Sequence, residues 1–336
     1  MKKRLLELLA CPKCSNEFKI VKGQFSNGEL DEGLMQCISC GDQYPIVNGI
    51  PRMLKKMDSE YYKCCRNYEY QWTKMNWFNP ELTSSRFYEL TGLDNKTIKG
   101  KVILDVGTGG GRWAYQLAKR NAGDVVAFDY TEAVDYAKNL CSEFNNIHFV
   151  QADIYSMPYK KDSFDIIHAH GVLHNLPEPE IAMKNLSYVV KKKGLFVFLV
   201  FRNLTKVQTI IDHSISWFTS RLPIKLMYYL CFIPTIIEYI PGTLFLLKNI
   251  FYLSGQPGFS RKHYHNYDWY TSRIKHRMSP LQAKQIMQHL GFSEINILKT
   301  NGFRVKSRFS INRKIRKYLL KKGFFLNATL GVKAVK

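Results

Sequence analysis

The stretch 101-KVILDVGTGGGRWAYQLAKR-120 decides the fold. Four apolar residues among 102–106 predict a buried strand, and the glycines after it predict a tight turn into a helix that begins near Gly111. Gly107, Gly109 and Gly111 let the backbone pass close to a ligand, because a glycine has no Cβ. A strand, a glycine-rich turn and a helix are typical of Rossmann-like folds, and Gly109-x-Gly111-x-x-Ala114 also fits a dinucleotide fingerprint.

Acidic residues at the ends of the predicted strands indicate which kind of ligand the glycine turn can bind. Asp105 lies two residues before Gly107, where a carboxylate suits an ammonium group and disfavours a pyrophosphate. Asp129 ends the second apolar strand and suits two ribose hydroxyls. Asp153 ends the third and can accept from an adenine amino group, with a helix cap as the alternative. The carboxylates therefore favour a cationic, nucleoside-containing ligand over a dinucleotide.

The chain continues to alternate apolar strands with helices. A fourth strand pattern ends at His170 and Gly171, and a helix and a fifth strand follow. The stretch 279-SPLQAKQIMQHLGFSEINIL-298 predicts a helix capped by Ser279 and then a sixth strand, and the last nine residues predict a seventh. We therefore expect an α/β fold, a doubly wound Rossmann-like sheet with its ligand at the carboxyl ends of the strands.

These motifs match in order and spacing over residues 101–201, where the chain resembles class I S-adenosylmethionine-dependent methyltransferases of the type 11-like group. The matching motifs are D-x-G-x-G-x-G at Asp105 and 171-GVLHN-175, in which the family often has two histidines. The resemblance implies a seven-stranded methyltransferase sheet and S-adenosyl-L-methionine as cofactor. By this resemblance, Asp105 and the glycine turn bind the methionine part of the cofactor, and Asp129 binds its ribose. Asp153 and Ile154 bind its adenine, and His170 and Gly171 line the outer edge of the cofactor. Only His174 carries over from the histidine pair, either facing the acceptor as a base or packing beneath it.

Two cysteine pairs near the N-terminus predict a metal site. Cys11-x-x-Cys14 and Cys37-x-x-Cys40 are separated by 22 residues, which a long β-hairpin can span. Four thiolates complete a tetrahedral structural Zn²⁺ site and leave no open position for catalysis. The surrounding 8-LLACPKC-14 and 37-CISCGDQYPIVNGIPRML-54 resemble the small zinc-ribbon subunit that activates eukaryotic and archaeal methyltransferases. We therefore expect a zinc ribbon at 1–54, an aromatic-rich helical linker at 55–100, and a methyltransferase domain at 101–336.

An insertion at about 202–278 separates the fifth and sixth strands. Its apolar part, 226–247, contains one charged residue, Glu238, and is interpreted as an interfacial or lid helix, a packed cap or, less readily, a membrane span. The stretch 261-RKHYHNYDWYTSRIKHRM-278 partly resembles a segment that overlies the acceptor pocket in some of these methyltransferases. His265 or His276 is a candidate general base there, the alternative being histidines in a solvated basic loop.

The net charge of +22 is concentrated in the last part of the chain. Residues 295–336 carry 12 Lys and Arg residues and no Asp or Glu. Residues 1–200, in contrast, carry 26 Lys and Arg residues and 23 Asp and Glu residues, so their charges nearly balance. The basic, aromatic-containing run 303–322 can bind RNA through phosphates or an anionic lipid surface, and the sequence leaves both open. The eight cysteines and the lack of a secretory signal predict a cytoplasmic protein, with membrane association as an alternative.

Together, these features lead to one functional hypothesis and two alternatives. The first is methyl transfer to a small-molecule, glycan or lipid-linked acceptor, with a possible peripheral membrane contact. An Asn-Pro-Pro-aromatic turn and a Pro-Cys nucleophile are missing after the fourth strand, which disfavours exocyclic amines and pyrimidine carbon-5 as acceptors. The second is methylation of RNA or a translation protein. The third is a non-catalytic, zinc-containing adaptor that only binds the cofactor.

Overall fold

The computed structural model describes residues 1–26, 28–54, 59–75, 83–203, 206–243, 247, 251–298 and 329–336. The strands are β1 (Phe18–Ser26), β2 (Glu29–Cys37), β3 (Gln43–Val47), β4 (Ile50–Pro51), β5 (Val102–Val106), β6 (Asp124–Asp129), β7 (Ile147–Gln151), β8 (Phe164–His170), β9 (Val190–Arg202), β10 (Arg277–Met278), β11 (Ser293–Leu298) and β12 (Thr329–Val335). The helices are α1 (Lys3–Leu8), α2 (Ser59–Lys74), α3 (Phe87–Thr91), α4 (Asn95–Ile98), α5 (Arg112–Lys119), α6 (Ala133–Leu140), α7 (Pro179–Val189), α8 (Lys206–Thr219), α9 (Ile224–Leu230), α10 (Phe232–Ile237), α11 (Phe259–Thr271) and α12 (Pro280–His289). A single 3₁₀ turn, Leu173–Asn175, is also described.

The large sheet has the strand order β11-β12-β9-β8-β5-β6-β7, with the short β10 paired to β9. Strands β5 to β9 run parallel, whereas β12 is antiparallel to β9 and β11 is antiparallel to β12. The α/β class and the seven-stranded main path predicted from the sequence are confirmed. The predicted Ser279 cap is also present, with the Ser279 hydroxyl accepting from the Gln282 amide at the start of α12, and the Gln282 side chain completes a capping box by accepting from the Ser279 amide.

The order of the strands sets where a sheet of this kind binds its ligand, which is at the carboxyl ends of its central strands. The sequence of strands along the chain changes direction between β5 and β8, so the connections after these strands diverge and leave a crevice. Strand β5 is buried along its whole length because it lies in the centre of the sheet with helices on both faces. Of the acidic residues predicted to bind the ligand, Asp105 lies within β5, Asp129 ends β6, and Asp153 follows β7.

The N-terminal part is a four-stranded antiparallel sheet, β1-β2-β3-β4. The expected hairpin between the cysteine pairs is formed by β1 and β2. The interior of this sheet contains Phe18, Met35, Tyr44 and Ile46, which join the same buried cluster as the main sheet. The small sheet therefore shares its core with the large one.

Residues after β4 fasten the small sheet to the free edge of β7. The Met53 amide donates to the Gln151 carbonyl at 2.7 Å, and Arg52 forms a two-pronged ion pair with Asp135 on α6 at 2.9 and 2.6 Å. Ala10 also donates to the Pro158 carbonyl at 2.9 Å. Because an unpaired edge strand exposes backbone donors and acceptors, these contacts protect the end of the large sheet.

The insertion after β9 folds as helices around α11. Helices α8, α9 and α10 all pack on α11, and α2 packs on it from the linker. Tyr264 and Tyr267 of α11 are buried with Met227 and Cys231 from this layer. Within the described ranges, every helix is too short or too polar to cross a bilayer. Residues 303–322, the basic run, lie outside the described residues.

Candidate functional site

Asp129 and the glycine turn meet at the carboxyl ends of β5 and β6. The Gly109 amide donates to Asp129 Oδ2 at 2.8 Å, and the Thr131 amide and hydroxyl both donate to Oδ1 at 2.9 Å. Burial raises the pKa of Asp129, and the hydrogen bonds from Thr131 and Gly109 oppose that shift. Each carboxylate oxygen has two lone pairs, so the group can still accept from a ligand hydroxyl.

Asp105 lies beneath the same turn and is almost completely buried. Its Oδ2 accepts from the Thr108 hydroxyl at 2.7 Å, and its Oδ1 accepts from His168 Nδ1 at 2.8 Å. His168 projects from β8, directly opposite Asp105 in the parallel register. Asp105 therefore holds the turn and sets a negative charge under it. His168 was not predicted from the sequence, where its one signal was its place within the fourth strand.

The three turn glycines all have positive φ angles, of +61°, +51° and +84°. A Cβ at Gly107 would approach Val172 within 2.4 Å, and one at Gly109 would approach the Trp72 indole within 2.5 Å. Trp72 belongs to α2, so the linker helix covers the glycine turn. The sequence predicts an aromatic-rich helical linker, but it does not predict this contact between Trp72 and the glycine turn.

Gly109→Ala is expected to weaken cofactor binding by about tenfold or more and to destabilise the fold, because the new methyl group collides with Trp72 at a left-handed backbone position. Gly100→Ala is the matched control. Gly100 also has a positive φ, of +71°, but nothing lies within 4 Å of its added Cβ. Calorimetric titration and thermal unfolding measure both variants. Equal losses of cofactor affinity would show that the Trp72 contact is irrelevant to the site.

Asp153 and Ile154 follow β7, which ends two residues earlier at Gln151. The Tyr155 amide donates to Asp153 Oδ1 at 2.9 Å, so the carboxylate closes a local turn and caps no helix. Ile154 is buried in the main core. The pair thus lies beside Asp129 along the same edge, because Asp129 and Gln151 are partners in the register of β6 and β7.

His170 and Gly171 end β8 on the other side of the turn. The His170 ring lies 4.2 Å from the Trp113 ring, and burial holds the pKa of His170 well below its usual range. The imidazole is therefore neutral. Gly171 has a φ of +81°, and nothing lies within 4 Å of a Cβ added there, so the space beyond the strand is open.

Helix α11 packs on Trp72, the side chain that covers the glycine turn. Tyr264 packs edge-to-face on Trp72 at 5.7 Å, and the Arg112 guanidinium lies 5.9 Å from the Trp72 ring centre. His265 and Asp268 are partly exposed on this helix. Burial, together with the charges of Arg112 and Arg261, lowers the pKa of His265 to about 3. Burial raises the pKa of Asp268 to about 6, with Lys275 and Arg112 acting in the opposite direction.

The three candidate basic histidines lie in different environments, although the His276 amide donates to the His174 carbonyl at 2.8 Å. His174 is buried, its ring lies 3.7 Å from that of Phe201, and burial lowers its pKa to about 3. His276 is exposed, and its Nε2 donates to the Pro177 carbonyl at 3.2 Å. His265 alone of the three lies on the face of α11 that carries Tyr264 and Asp268. The pKa of Asp268, at about 6, suits it to accept a proton near neutral pH better than those of His174 and His265 suit them.

The four N-terminal cysteines converge on one point. All four Sγ atoms lie within 4.8 Å of one another, with Cys11 to Cys40 at 3.7 Å and Cys14 to Cys37 at 3.4 Å. A tetrahedral zinc with Zn–S bonds of about 2.3 Å requires Sγ atoms about 3.8 Å apart. Cys11, Cys14, Cys37 and Cys40 therefore fit a closed structural zinc site.

Comparisons with known proteins match both parts of the chain. Residues 98–227 match a family model described as a methyltransferase domain, and residues 2–49 match one described as Trm112p-like protein. Ubiquinone biosynthesis O-methyltransferase of Coxiella burnetii is 37% identical over 110 residues, which are 32% of this chain and 47% of that protein. Demethylmenaquinone methyltransferase of Staphylococcus haemolyticus is 32% identical over 103 residues, 30% of this chain and 43% of that protein.

Among solved structures, the complex of the Haloferax volcanii Trm112 methyltransferase activator with its partner aligns with a TM-score of 0.47 and 13% identity, over 80% of this chain and 96% of that chain. The chain spans less than half of the length of the curated relatives named above.

Proposed function

This chain carries a methyltransferase domain behind a Trm112p-like domain, and from that premise we propose that it transfers a methyl group from S-adenosylmethionine to a small-molecule or lipid-linked acceptor. The observation that carries the proposal is the hydrogen bond of 2.8 Å between the Gly109 amide and Asp129, which joins the glycine turn to the acidic end of β6. This arrangement suits a nucleoside with a positive charge nearby.

The residues around the turn would hold the cofactor in separate parts. Asp129 would accept from the ribose hydroxyls, and Asp153 with Ile154 would bound the adenine. The turn at Gly107, Gly109 and Gly111 would hold the methionine part, with the negative charge of Asp105 beneath it. His170 and Gly171 would line the outer edge. When bound, S-adenosylmethionine supplies a methyl group on a positively charged sulfur for in-line displacement.

Asp268 is the side chain that we propose takes the proton from the acceptor. Its carboxyl lies on the same helix face as His265, and its pKa of about 6 leaves it largely ionised at pH 7. His265, with a pKa of about 3, stays neutral and would orient the acceptor by hydrogen bonding. His174 packs against Phe201, and His276 lies at the exposed end of the segment, so neither is assigned the base.

The names of the curated relatives support the acceptor class. One is named for ubiquinone biosynthesis and the other for demethylmenaquinone, and both names refer to lipophilic quinones. The aromatic wall of Trp72 and Tyr264 suits a flat acceptor of this kind. We propose the domain boundaries 1–54, 55–100 and 101–336, with the insertion at about 202–278 roofing the acceptor side.

The Trm112p-like domain supports a second acceptor class, RNA or a translation protein. The net charge of +22 also suits a polyanion. In either case, we propose that the ribbon stabilises the catalytic sheet in the same chain through Arg52 and Met53. A non-catalytic adaptor is the third hypothesis, and it predicts cofactor binding without methyl consumption.

Incubation of the full chain with S-adenosylmethionine labelled in the methyl group and with cell extract tests the proposal. We expect label in the small-molecule or lipid fraction, and an Asp268→Asn variant to lose most of it while still binding cofactor. Label in RNA or protein would establish the second class instead. Cofactor binding without label in any fraction would support the adaptor and contradict methyl transfer.

A further inference from the structure

The helices α9 and α10 have a large apolar face that is exposed. Leu226, Tyr229, Leu230, Ile233, Ile236 and Ile240 recur at intervals of three or four residues and are between 36% and 66% exposed. We call these six residues the outer face. The spacing places them on one side of a nearly continuous helical stretch, since Cys231 between the two helices also has helical backbone angles.

The opposite side of the same stretch is buried against α11. Met227, Cys231, Thr235 and Glu238 are at most 6% exposed, and they contact α11 through Tyr267, Asn266 and Lys262. The inner side, which is partly polar, therefore has its partner in α11, whereas the apolar outer face has none among the described residues. A contiguous exposed apolar face of this kind marks an interaction site.

Helix α8, which precedes α9 in the chain, also has exposed apolar side chains. Ile210, Trp217 and Phe218 are 58% to 66% exposed. The Arg221 guanidinium lies over the Trp217 ring at 4.3 Å, just before α9 begins. Trp217 and Tyr229 are residues that favour the boundary between lipid and water, because their rings are apolar and each carries one polar group.

The charged residues on helices α8 to α10 indicate which kind of partner the outer face can bind. The acids Asp212 and Glu238 both lie inside, where Asp212 pairs with Lys275 and Arg277, and Glu238 pairs with Lys262 at 2.8 Å. Arg221 and Lys225 are exposed beside the outer face. Between residues 206 and 243, the surface described by the structure thus presents cations and apolar side chains but no carboxylate.

We propose that the outer face, with Trp217 and Phe218, docks this protein onto an anionic lipid surface. Amphipathic helices of this kind lie in the plane of the interface, with apolar side chains inserted and Lys and Arg near the lipid phosphates. A second copy of the chain fits less well, because a two-fold contact would join two identical surfaces that carry cations beside the outer face and no exposed carboxylate between residues 206 and 243 to pair with them.

The docking surface lies one helix away from the candidate acceptor cleft. Helix α11 contacts α9 and α10 on one side, and on the other it carries Tyr264, which packs on Trp72. Docking would therefore place the cleft next to the membrane, where lipid-linked acceptors are concentrated. This consequence rests on the proposed function, whereas lipid binding itself does not.

Sedimentation of the full chain with phosphatidylcholine vesicles, with and without phosphatidylglycerol, tests the docking. We expect binding to the anionic vesicles, and a loss of at least about tenfold in the Ile233→Asp/Ile236→Asp variant. The matched control is Ile181→Asp/Leu281→Asp. It places two carboxylates on exposed apolar positions of α7 and α12, away from the outer face, and should bind like the native chain.

A charge variant, Arg221→Gln/Lys225→Gln, removes the cations without touching the apolar side chains. It should bind anionic vesicles several-fold more weakly, whereas Lys119→Gln/Lys192→Gln, at exposed positions elsewhere, should bind almost as the native chain does. Equal binding of Ile233→Asp/Ile236→Asp and native protein would overturn the docking surface, as would a native dimer that this variant converts to monomer without any vesicle binding. Calorimetric binding of S-adenosylmethionine, measured in parallel, reports on the proposed function separately.

Discussion

Asp129→Ala is expected to weaken S-adenosylmethionine binding by at least about 100-fold, equivalent to about 2.8 kcal/mol. The native carboxylate would accept a hydrogen bond from the ribose at the remaining lone pair of Oδ2, and a hydrogen bond to an ionised group contributes about 1.5–3 kcal/mol. The substitution also removes the acceptor of the Gly109 amide and of Thr131, so the glycine turn loses a fixed partner. Isothermal titration calorimetry with the cofactor measures the change.

Two further measurements make this result specific to the cleft. The zinc content of Asp129→Ala should equal that of the native chain, because the cysteine cluster belongs to the small N-terminal sheet. Glu180→Ala, which removes an exposed carboxylate from α7, should retain native cofactor affinity. Native affinity in Asp129→Ala would mean that the cofactor residues are wrongly assigned.

Cys37→Ser is expected to abolish stoichiometric zinc binding and to unfold the N-terminal sheet. Structural zinc contributes about 10–16 kcal/mol to the folding of small zinc-finger peptides at neutral pH, which exceeds the stability of a typical domain. Cys37 is buried at the end of β2, and its amide donates to the Asp42 carbonyl, so loss of the metal also affects the strand. Metal content by plasma emission spectrometry and the melting temperature measure the effect.

The loss should extend into the catalytic sheet. Once the ribbon unfolds, Met53 and Arg52 no longer hold Gln151 and Asp135, and the edge of β7 becomes free to pair with other chains. We therefore expect aggregation on heating as well as a lower melting temperature. Cys65→Ser is the control, since Cys65 lies on α2 outside the cysteine cluster and should leave the zinc content unchanged. Full zinc occupancy in Cys37→Ser would rule out the four-thiolate site.

The sequence patterns were sufficient for the features that depend on local chemistry. Apolar strands, turn glycines and Ser279 predicted the sheet and helix α12 because burial and capping act on neighbouring residues. The cysteine spacing predicted a cluster because two CxxC turns have few other uses. The resemblance to methyltransferases added the identity of the ligand, which the residues alone restricted only to a cationic nucleoside.

The sequence patterns did not predict contacts between segments that are far apart in the chain. Trp72 covers Gly109 across 37 positions of the chain, and His168 pairs with Asp105 only because β5 and β8 are neighbours in the sheet. His174 was a reasonable base from its motif, but its burial against Phe201 depends on β9. The outer face of α9 and α10 was foreseen as an apolar segment, whereas which side remains exposed depends on how α11 packs.

The central claim is that the cleft binds a positively charged sulfur donor and rejects dinucleotides. Calorimetric titration of the full zinc-loaded chain with S-adenosylmethionine, its demethylated product and NAD tests it most directly. We expect saturable, one-to-one binding of the first two and no measurable heat with NAD. Tight NAD binding without uptake of either sulfur compound would contradict the claim.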